Sequence, residues 1–428
     1  MTRPEPSAIA FDRPQRSAFW KIAGAGATFQ AGSTAVDSAT IVATLVYHLT
    51  GSVYAVGAAS TVLRLGWLLP QLMVGFLAQK SSRRMPYYIF GACGRALCIL
   101  AIALLLANAG AVASAWVGAA FMILWTLYAF VSGVVAVPYN DIVGRSITSE
   151  LRSRMLAWRF FGGSILALLI AAFARYALQN SPLLDAYALI FALAAALMVV
   201  STLSFVCAGE PPTATPSPAQ RNGFGQFLKD GWQVLHSDAR FRLFLYSQWL
   251  SGATLMALPF YVIAASGLGL PTADVAILLG AQTAGALLCN PIWGRIGDHL
   301  GKLRLLQAVG ILRLTVPLAA MLILATTSPA SPWIMPLYSL LFVAMGALSN
   351  GMTIAYLGYL MEVSPDDKRP AYSAYFNALA SPAALLPLVG AAIADSISLH
   401  LVFLIALLAA VAQLVLYAKM AVRDANIP

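Results

Sequence analysis

Long runs of hydrophobic residues, separated by short polar segments, are the main pattern in this chain. A helix that crosses a lipid bilayer needs about 20 apolar residues, and about twelve stretches reach that length. In the first half they are Phe19–Leu49, Val53–Gln79, Tyr87–Ala107, Ala113–Val137, Met155–Leu178 and Asp185–Cys207. In the second half they are Arg240–Ala265, Ala273–Gly297, Leu303–Ala325, Trp333–Leu360, Ala371–Ala394 and Leu399–Met420. The pattern predicts an all-α integral membrane protein with two bundles of six spans.

A polar segment, Ala208–Ala239, separates the two sets of spans. Its prolines prevent helix continuation near Glu210, which is typical of a linker. The later part alternates aromatic and charged residues and predicts an amphipathic helix on the membrane surface. The predicted organisation is an N-terminal segment (1–17), a first bundle (18–207), the linker (208–239), a second bundle (240–420) and a short tail (421–428).

Composition supports a protein surrounded by lipid. Of the 428 residues, 60% are hydrophobic and 10% are charged, and the mean hydropathy is +0.79. Globular proteins are about 25% charged, so this chain lacks the polar residues needed to cover several water-exposed domains. The net charge of +10 does not indicate nucleic-acid binding, because Lys and Arg occupy short gaps between apolar runs rather than one basic face.

The distribution of Lys and Arg predicts the orientation of the chain. Under the twelve-span topology nearly all of them lie on one side, and Arg175 is the exception. Cytoplasmic loops carry an excess of Lys and Arg, so both termini and the linker are expected in the cytoplasm. We expect a monomer in the inner membrane of a bacterium or in a membrane derived from it.

Two polar loops occupy equivalent places in the two halves. The first runs from Gly75 to Arg84, and the second runs from Gly294 to Arg304. Arg95 in the third span also has a counterpart at nearly the same offset in the ninth, Arg313. A parallel repeat of six spans is the design of one large class of carriers, which bind their substrate near the midplane between the halves.

At these loops the chain resembles the major facilitator superfamily. The loop signature of that family is Gly-x-x-x-Asp-Arg/Lys-x-Gly-Arg/Lys-Arg/Lys. Gly294, Asp298, Gly301 and Lys302 match it. The first loop matches only in part, because Gln79 replaces the acid and Ser82 replaces the second glycine. Glu362 followed by Arg369 is similar to a Glu-x6-Arg element of sugar-porter-like members.

The resemblance implies that charged residues at these loops hold one face of the transporter shut. A carboxylate at such a turn can pair with an arginine and with a helix N-terminus. The alternative is that these charges only fix the topology, because exposed ion pairs are usually weak. Arg95 and Arg313 are expected to support the loops rather than bind substrate. The candidates for this latch are Asp298, Arg304, Glu362, Arg369, Asp141, Arg145, Arg152, Arg95 and Arg313.

Two ionisable residues near mid-depth are candidates for the transport site. Asp37 and Arg64 lie on consecutive spans, and charges inside a membrane are costly enough to indicate function. We expect them to form a buried ion pair that faces a central cavity, although such a pair could also do no more than lock two helices together. Other candidates on cavity-lining spans, which could equally be packing contacts, are Gln30, Tyr128, Gln248, Tyr261, Gln282, Asn350 and Tyr356.

These features favour a secondary active transporter that takes up a small polar or charged solute, as a proton symporter, by alternating access. A carrier of iron or another metal species is one alternative, with Asp37 as a ligand. A transporter-like scaffold or sensor is another. We expect no enzyme activity, cofactor or resident metal, since HExxH, GxSxG and Walker motifs are missing and the four cysteines form no CxxC pair. The expected partners are the solute and the lipid bilayer.

Overall fold

The computed structural model describes residues 13–79, 83–110, 115–147, 149–211, 224–364 and 369–425, and these residues form sixteen α-helices. The first half contains α1 (Arg13–Ala35), α2 (Ile41–Thr50), α3 (Val53–Gln79), α4 (Met85–Ala107), α5 (Ala115–Ser146), α6 (Ser149–Asn180) and α7 (Leu183–Val206). After α8 (Phe224–Ser237), the second half contains α9 (Ala239–Leu255), α10 (Leu258–Gly267), α11 (Val275–His299), α12 (Lys302–Thr326), α13 (Ile334–Val363), α14 (Arg369–Ala380), α15 (Leu386–Ser396) and α16 (Leu399–Ala425).

The predicted membrane-spanning architecture is confirmed. By length and composition, eleven helical segments in the described part of the chain could cross a membrane. The remaining predicted span, Phe19–Leu49, consists of two helices, α1 and α2, rather than one. The linker helix is also present as α8, whereas its position on a membrane surface stays a prediction. Residues 212–223 of the linker lie outside the described residues.

The break in the first span has a local cause. Asp, Ser and Thr side chains compete with the backbone for its hydrogen bonds and therefore disfavour a continuous helix. Three such residues lie between α1 and α2. The Oδ1 atom of Asp37 accepts hydrogen bonds from the backbone N–H of Ala39 at 3.2 Å and from the hydroxyl of Thr40 at 3.1 Å. Asp37 thus stabilises the turn at which α2 begins.

Prolines lie at the breaks of two further spans. Pro259 lies in the first turn of α10, after the break that separates it from α9. Pro382 lies in a 3-10 segment, Ser381–Leu385, between α14 and α15. Proline has no N–H to donate and clashes with the preceding turn, so it starts a helix more readily than it continues one. By contrast, Pro291 lies within α11, which stays a continuous helix.

The two halves contact each other on one side of the molecule. We define the terminal side as the face at which α1 begins and α16 ends, and the far side as the opposite face. On the far side α2 packs on α10, α3 packs on α15, and α6 packs on α11. A Cβ atom placed on Gly57 of α3 would lie 2.7 Å from the carbonyl oxygen of Pro387 of α15. The far side is therefore closed by close helix packing.

An ion pair joins the halves on this far side. Arg175 at the end of α6 lies 3.7 Å from Asp274, which precedes α11, and both side chains are partly exposed. Arg175 is the exception noted in the distribution of basic residues, and this contact gives it a partner in the other half.

We expect Asp274→Asn to loosen the far side slightly, because an exposed ion pair contributes about 0.2–1 kcal/mol. Distances between spin labels on the far ends of α3 and α15 should show a larger separated fraction, by up to about fivefold. Asp185→Asn is a matched control, because Asp185 also lies on the far side, in the first turn of α7. Identical distance distributions in the two variants would show that the Arg175–Asp274 contact does not hold the halves together.

Candidate functional site

A cavity of about 570 Å³ lies between the two halves. Helices α3 and α5 and the region around the α1–α2 break form one wall, and helices α9, α13 and α14 form much of the other. The size falls within the range of about 300–1,000 Å³ that is usual for small-molecule sites. The main helix contacts between the halves lie on the far side of this cavity. The fold thus places a solute-sized space at mid-depth between the two bundles.

Asp37 and Arg64 both line this cavity, as the sequence predicts. The expected direct ion pair between them is wrong, because no ion pair within 4.0 Å joins them among the described side chains. The helix break explains the difference. Asp37 finds its hydrogen-bond donors locally, at Ala39 and Thr40, and does not need the arginine of the next span.

Aromatic residues form much of the remaining wall. Trp125 on α5 donates a hydrogen bond from Nε1 to the carbonyl oxygen of Ala59 on α3 at 3.0 Å, which fixes the indole. Trp125 and Tyr128 are stacked, with ring centroids 5.0 Å apart. Trp67 contributes a further ring from α3. The cavity therefore combines two opposite charges with a largely apolar and aromatic surface.

The second half adds polar groups to the opposite wall. Gln248 and Tyr356 line the cavity, as expected, and so does Asn377. The Tyr356 hydroxyl donates to Oδ1 of Asn377 at 3.0 Å, which links α13 to α14. The sequence analysis did not identify Trp67, Trp125 and Asn377. Nothing in the sequence shows whether an aromatic or amide residue within an apolar span lines a cavity or packs against a neighbouring helix.

Three candidate polar residues lie elsewhere. Gln30 of α1 donates to Oγ of Ser164 on α6 at 3.5 Å. Asn350 of α13 donates to Oδ1 of Asn290 on α11 at 3.0 Å. Gln282 lies where α11 meets α13, with its backbone carbonyl against Gly346. The contacts of Gln30 and Asn350 correspond to the packing alternative, since hydrogen bonds between neighbouring helices are common in membrane bundles. The side-chain oxygen of Gln282 is buried and has no hydrogen-bond partner among the described residues.

Tyr261, the other candidate outside the cavity wall, packs flat against Phe403 of α16. The ring centroids lie 4.8 Å apart and the planes differ by 6°. The tyrosine is 2% exposed. It therefore belongs to the core of the second half.

Arg95 and Arg313 tie helices within their own halves. Arg95 of α4 places its guanidinium over the ring of Phe29 of α1, 4.2 Å from the centroid. Arg313 of α12 donates from Nη1 to Ser251 of α9 at 2.7 Å and to Gln413 of α16 at 3.0 Å. Neither residue lines the cavity, in agreement with the expected scaffold role, whereas support for the loops stays a prediction.

The terminal side of the first half contains a network of ion pairs. Asp141 accepts from Arg145 at 2.7 Å and lies 3.3 Å from Arg84. Arg145 also lies 2.9 Å from Glu210, at the start of the linker. The structure brings the candidates Asp141 and Arg145 together, and it adds Arg84 and Glu210, which sequence reasoning treated only as topology and linker residues. Three of these residues belong to the first half and Glu210 to the start of the linker, so these ion pairs hold α4, α5 and the linker together and none of them joins the two halves.

Glu210 also caps the N-terminus of α4. Its carboxylate accepts from the backbone N–H groups of Arg84 and Met85, at 2.7 and 2.9 Å, at the start of α4. Burial raises the pKa of Glu210, but these hydrogen bonds and the Arg145 guanidinium outweigh it and hold the pKa below its usual range. Since the folded pKa is lowered, these contacts stabilise the fold near neutral pH, and the contribution is lost as the pH falls through that value.

The matching loop of the second half is described only in part. Gly301 has a φ of +87°, which a residue with a Cβ adopts only with strain, and this explains the second glycine of the motif.

Arg304 donates to Gln307 at 3.2 Å, and Glu362 is exposed on the terminal side. The side chains of Arg152, Asp298 and Arg369 lie outside the described part of the chain. The latch in the second half therefore stays a prediction.

The sequence matches the family model described as Major Facilitator Superfamily over residues 22–386. No curated protein matches it. A mutant of the nucleoside transporter NupG is similar in structure, with a TM-score of 0.69 and 12% identity, over 95% of this chain and 100% of that chain. A POT family transporter in complex with 5-aminolevulinic acid has a TM-score of 0.66 and 11% identity, over 98% of this chain and 97% of that chain.

A third similar structure is a bacterial homologue of the iron transporter ferroportin, in an outward-facing state with soaked iron. Its TM-score is 0.59 and its identity is 14%, over 96% of this chain and 100% of that chain. At these identities the likeness establishes the fold alone. Among the described residues, no group of three or more His, Cys, Asp or Glu side chains could hold a metal ion.

Proposed function

Because this chain belongs to the major facilitator superfamily, whose members are secondary transporters, we propose that it takes up a small polar or charged solute together with protons. The observation that carries the proposal is the cavity between the halves, which places Asp37 and Arg64 in an otherwise largely apolar wall. A site at the midplane between two repeats is where such carriers bind substrate. Charged groups at that depth are costly and are kept for a function.

The proposed mechanism is alternating access. In the structure the far side is closed by α2 on α10 and by α3 on α15. If the halves rock about the central cavity, these contacts separate and contacts on the terminal side form instead. With the terminal side in the cytoplasm, as the basic residues predict, the structure corresponds to the inward-facing state of an uptake carrier.

Asp37 is the proposed coupling residue. Among the described residues it is the one carboxylate in the cavity wall, and it lies at the break between α1 and α2. A break of this kind can change its angle when the halves move, so the carboxylate can meet a different environment in each state. The metal-carrier alternative receives little support from this wall, because one carboxylate is a poor ligand set for a transition metal.

The orientation can be tested with reporter fusions. We expect fusions after Ala425 and within residues 212–223 to be active only with a cytoplasmic reporter, because the terminal side carries nearly all Lys and Arg. Fusions in the loop near Asn108 should be active only with a periplasmic reporter. Periplasmic activity at the C-terminus would contradict the inward-facing assignment.

The transport function can be tested with purified protein in proteoliposomes under an imposed pH gradient. Uptake of radiolabelled nucleosides, dipeptides, amino acids and organic acids is measured in turn, because uptake also detects transport that moves no net charge. At least one class should be taken up at a rate that grows with the pH gradient, and Asp37→Asn should remove this dependence. Uptake that does not differ from that of empty liposomes for every class would favour the scaffold or sensor alternative.

A further inference from the structure

Arg64 is the one basic side chain among the described residues that line the cavity. It projects into the cavity from α3, and within the described residues it takes part in no hydrogen bond, ion pair or ring contact. Arginine has five N–H donors and stays charged in proteins. An arginine at this depth in a membrane protein is costly, and more so without a counter-charge, so its retention requires a compensating role.

The nearby acids do not supply the counter-charge. Oδ1 of Asp37 is occupied by Ala39 and Thr40, and no Asp37 oxygen lies within 4.0 Å of the guanidinium. Asp141 and Glu210 belong to the network on the terminal side. Among the described side chains that line the cavity, no other acid is present.

We propose that Arg64 binds the carboxylate of the transported solute, which makes this protein a carrier of small organic acids. This inference rests on the proposed transport function. The planar guanidinium can bind both oxygens of a carboxylate in parallel, which fixes the orientation of the solute as well as its charge. The position of Arg64 in the wall of the cavity leaves its N–H groups available to such a ligand.

The rest of the wall restricts the kind of acid. Trp67, Trp125 and Tyr128 offer flat apolar surfaces to the body of the solute. Gln248 and Asn377 offer amide groups on the opposite wall. A second carboxylate would find no counter-charge, because Arg64 is the one basic side chain among the described residues of the wall. The expected class is therefore a monocarboxylic acid with an apolar or aromatic body.

Matched pairs of acids and amides test this inference by binding alone. The probes are benzoate, 3-phenylpropionate and indole-3-acetate, each compared with its primary amide, and the readout is the thermal stability of the detergent-purified protein as a function of probe concentration. At least one acid should raise the Tm, and its amide should not. Arg64→Gln should raise the half-saturating concentration by roughly ten- to a hundredfold, the usual loss for a hydrogen bond to a charged group.

Two further variants separate charge from local structure. Arg64→Lys keeps the charge without the two parallel donors, so it should retain binding of intermediate strength. Arg295→Gln removes an exposed arginine near the terminal end of α11 and should bind like the wild type. If no acid raises the Tm, if the amides stabilise as well as the acids, or if Arg64→Gln binds like Arg295→Gln, the proposal is wrong.

The failure of this inference can be distinguished from the failure of the proposed function. If the protein takes up amines or neutral solutes in response to the pH gradient but binds no acid, it is a carrier and the assignment of Arg64 is wrong. If acids bind through Arg64 but no solute is taken up, the binding site is supported and the proposed transport function is wrong.

Discussion

Asp37→Asn is expected to abolish accumulation of the solute against its gradient while leaving exchange of solute across the membrane. One proton moved with each solute down a pH gradient supplies about 1.4 kcal/mol per pH unit, which sustains an accumulation of about tenfold per unit. A neutral side chain at residue 37 cannot carry that proton. The accumulation ratio measured in proteoliposomes should therefore fall from about tenfold per pH unit to about one.

The same position offers a control for local structure. Asp37 also stabilises the start of α2 through Ala39 and Thr40, and asparagine can accept similar hydrogen bonds from its side-chain oxygen. Asp37→Ala removes both charge and acceptor and should additionally destabilise the fold by about 1 kcal/mol. Asp395→Asn, which neutralises an exposed acid on α15, should accumulate like the wild type. Full accumulation by Asp37→Asn would show that Asp37 only stabilises the turn before α2.

Gly57→Trp is expected to shift the protein strongly toward the state that is open on the far side. A Cβ atom placed on Gly57 would lie 2.7 Å from the carbonyl oxygen of Pro387 and closer still to the Cβ atom of Ala391. Backbone atoms on α15 cannot move aside as a flexible side chain does. Overpacking costs about 1–3 kcal/mol, and a bulky indole at this contact should therefore shift the ratio of the two states by about 5- to 150-fold.

The matched control for this variant is Gly267→Trp. Gly267 also lies on the far side, at the end of α10, and a Cβ placed there meets no atom within 4 Å. Distances between spin labels on the far ends of α2 and α10 should lengthen in Gly57→Trp and stay unchanged in Gly267→Trp. If both variants give the wild-type distribution, the α3–α15 contact is not what closes the far side.

The length of the apolar runs determines much of this fold, and the sequence predicts it well. The bounds of Val53–Gln79 agree with α3 at both ends, because polar residues flank that run. The break in Phe19–Leu49 was not predicted, since the hydrophobic residues continue on both sides of it. The side chain of Asp37 causes that break by accepting hydrogen bonds from Ala39 and Thr40. The sequence does not show which donors the side chain reaches.

The candidate site was predicted less completely. Asp37 and Arg64 were found because charges at mid-depth are rare, but their pairing was not, since sequence separation does not give the direction of a side chain. Trp125 and Gln30 illustrate the same limit, because one lines the cavity and the other packs against Ser164. In the sequence Glu210 resembles an ordinary linker residue, and only the structure shows that its carboxylate contacts the start of α4.

Alternating access requires that one cavity opens in turn to the two sides of the membrane. To test this, a single cysteine replaces Gln248 in the cavity wall, after Cys93, Cys98, Cys207 and Cys289 are replaced. A membrane-impermeant maleimide is then applied from either side of the membrane to this single-cysteine protein and to the same protein with Gly57→Trp. We predict labelling from the cytoplasmic side without Gly57→Trp and from the opposite side with it. Labelling from the same side in both backgrounds would contradict alternating access through this cavity.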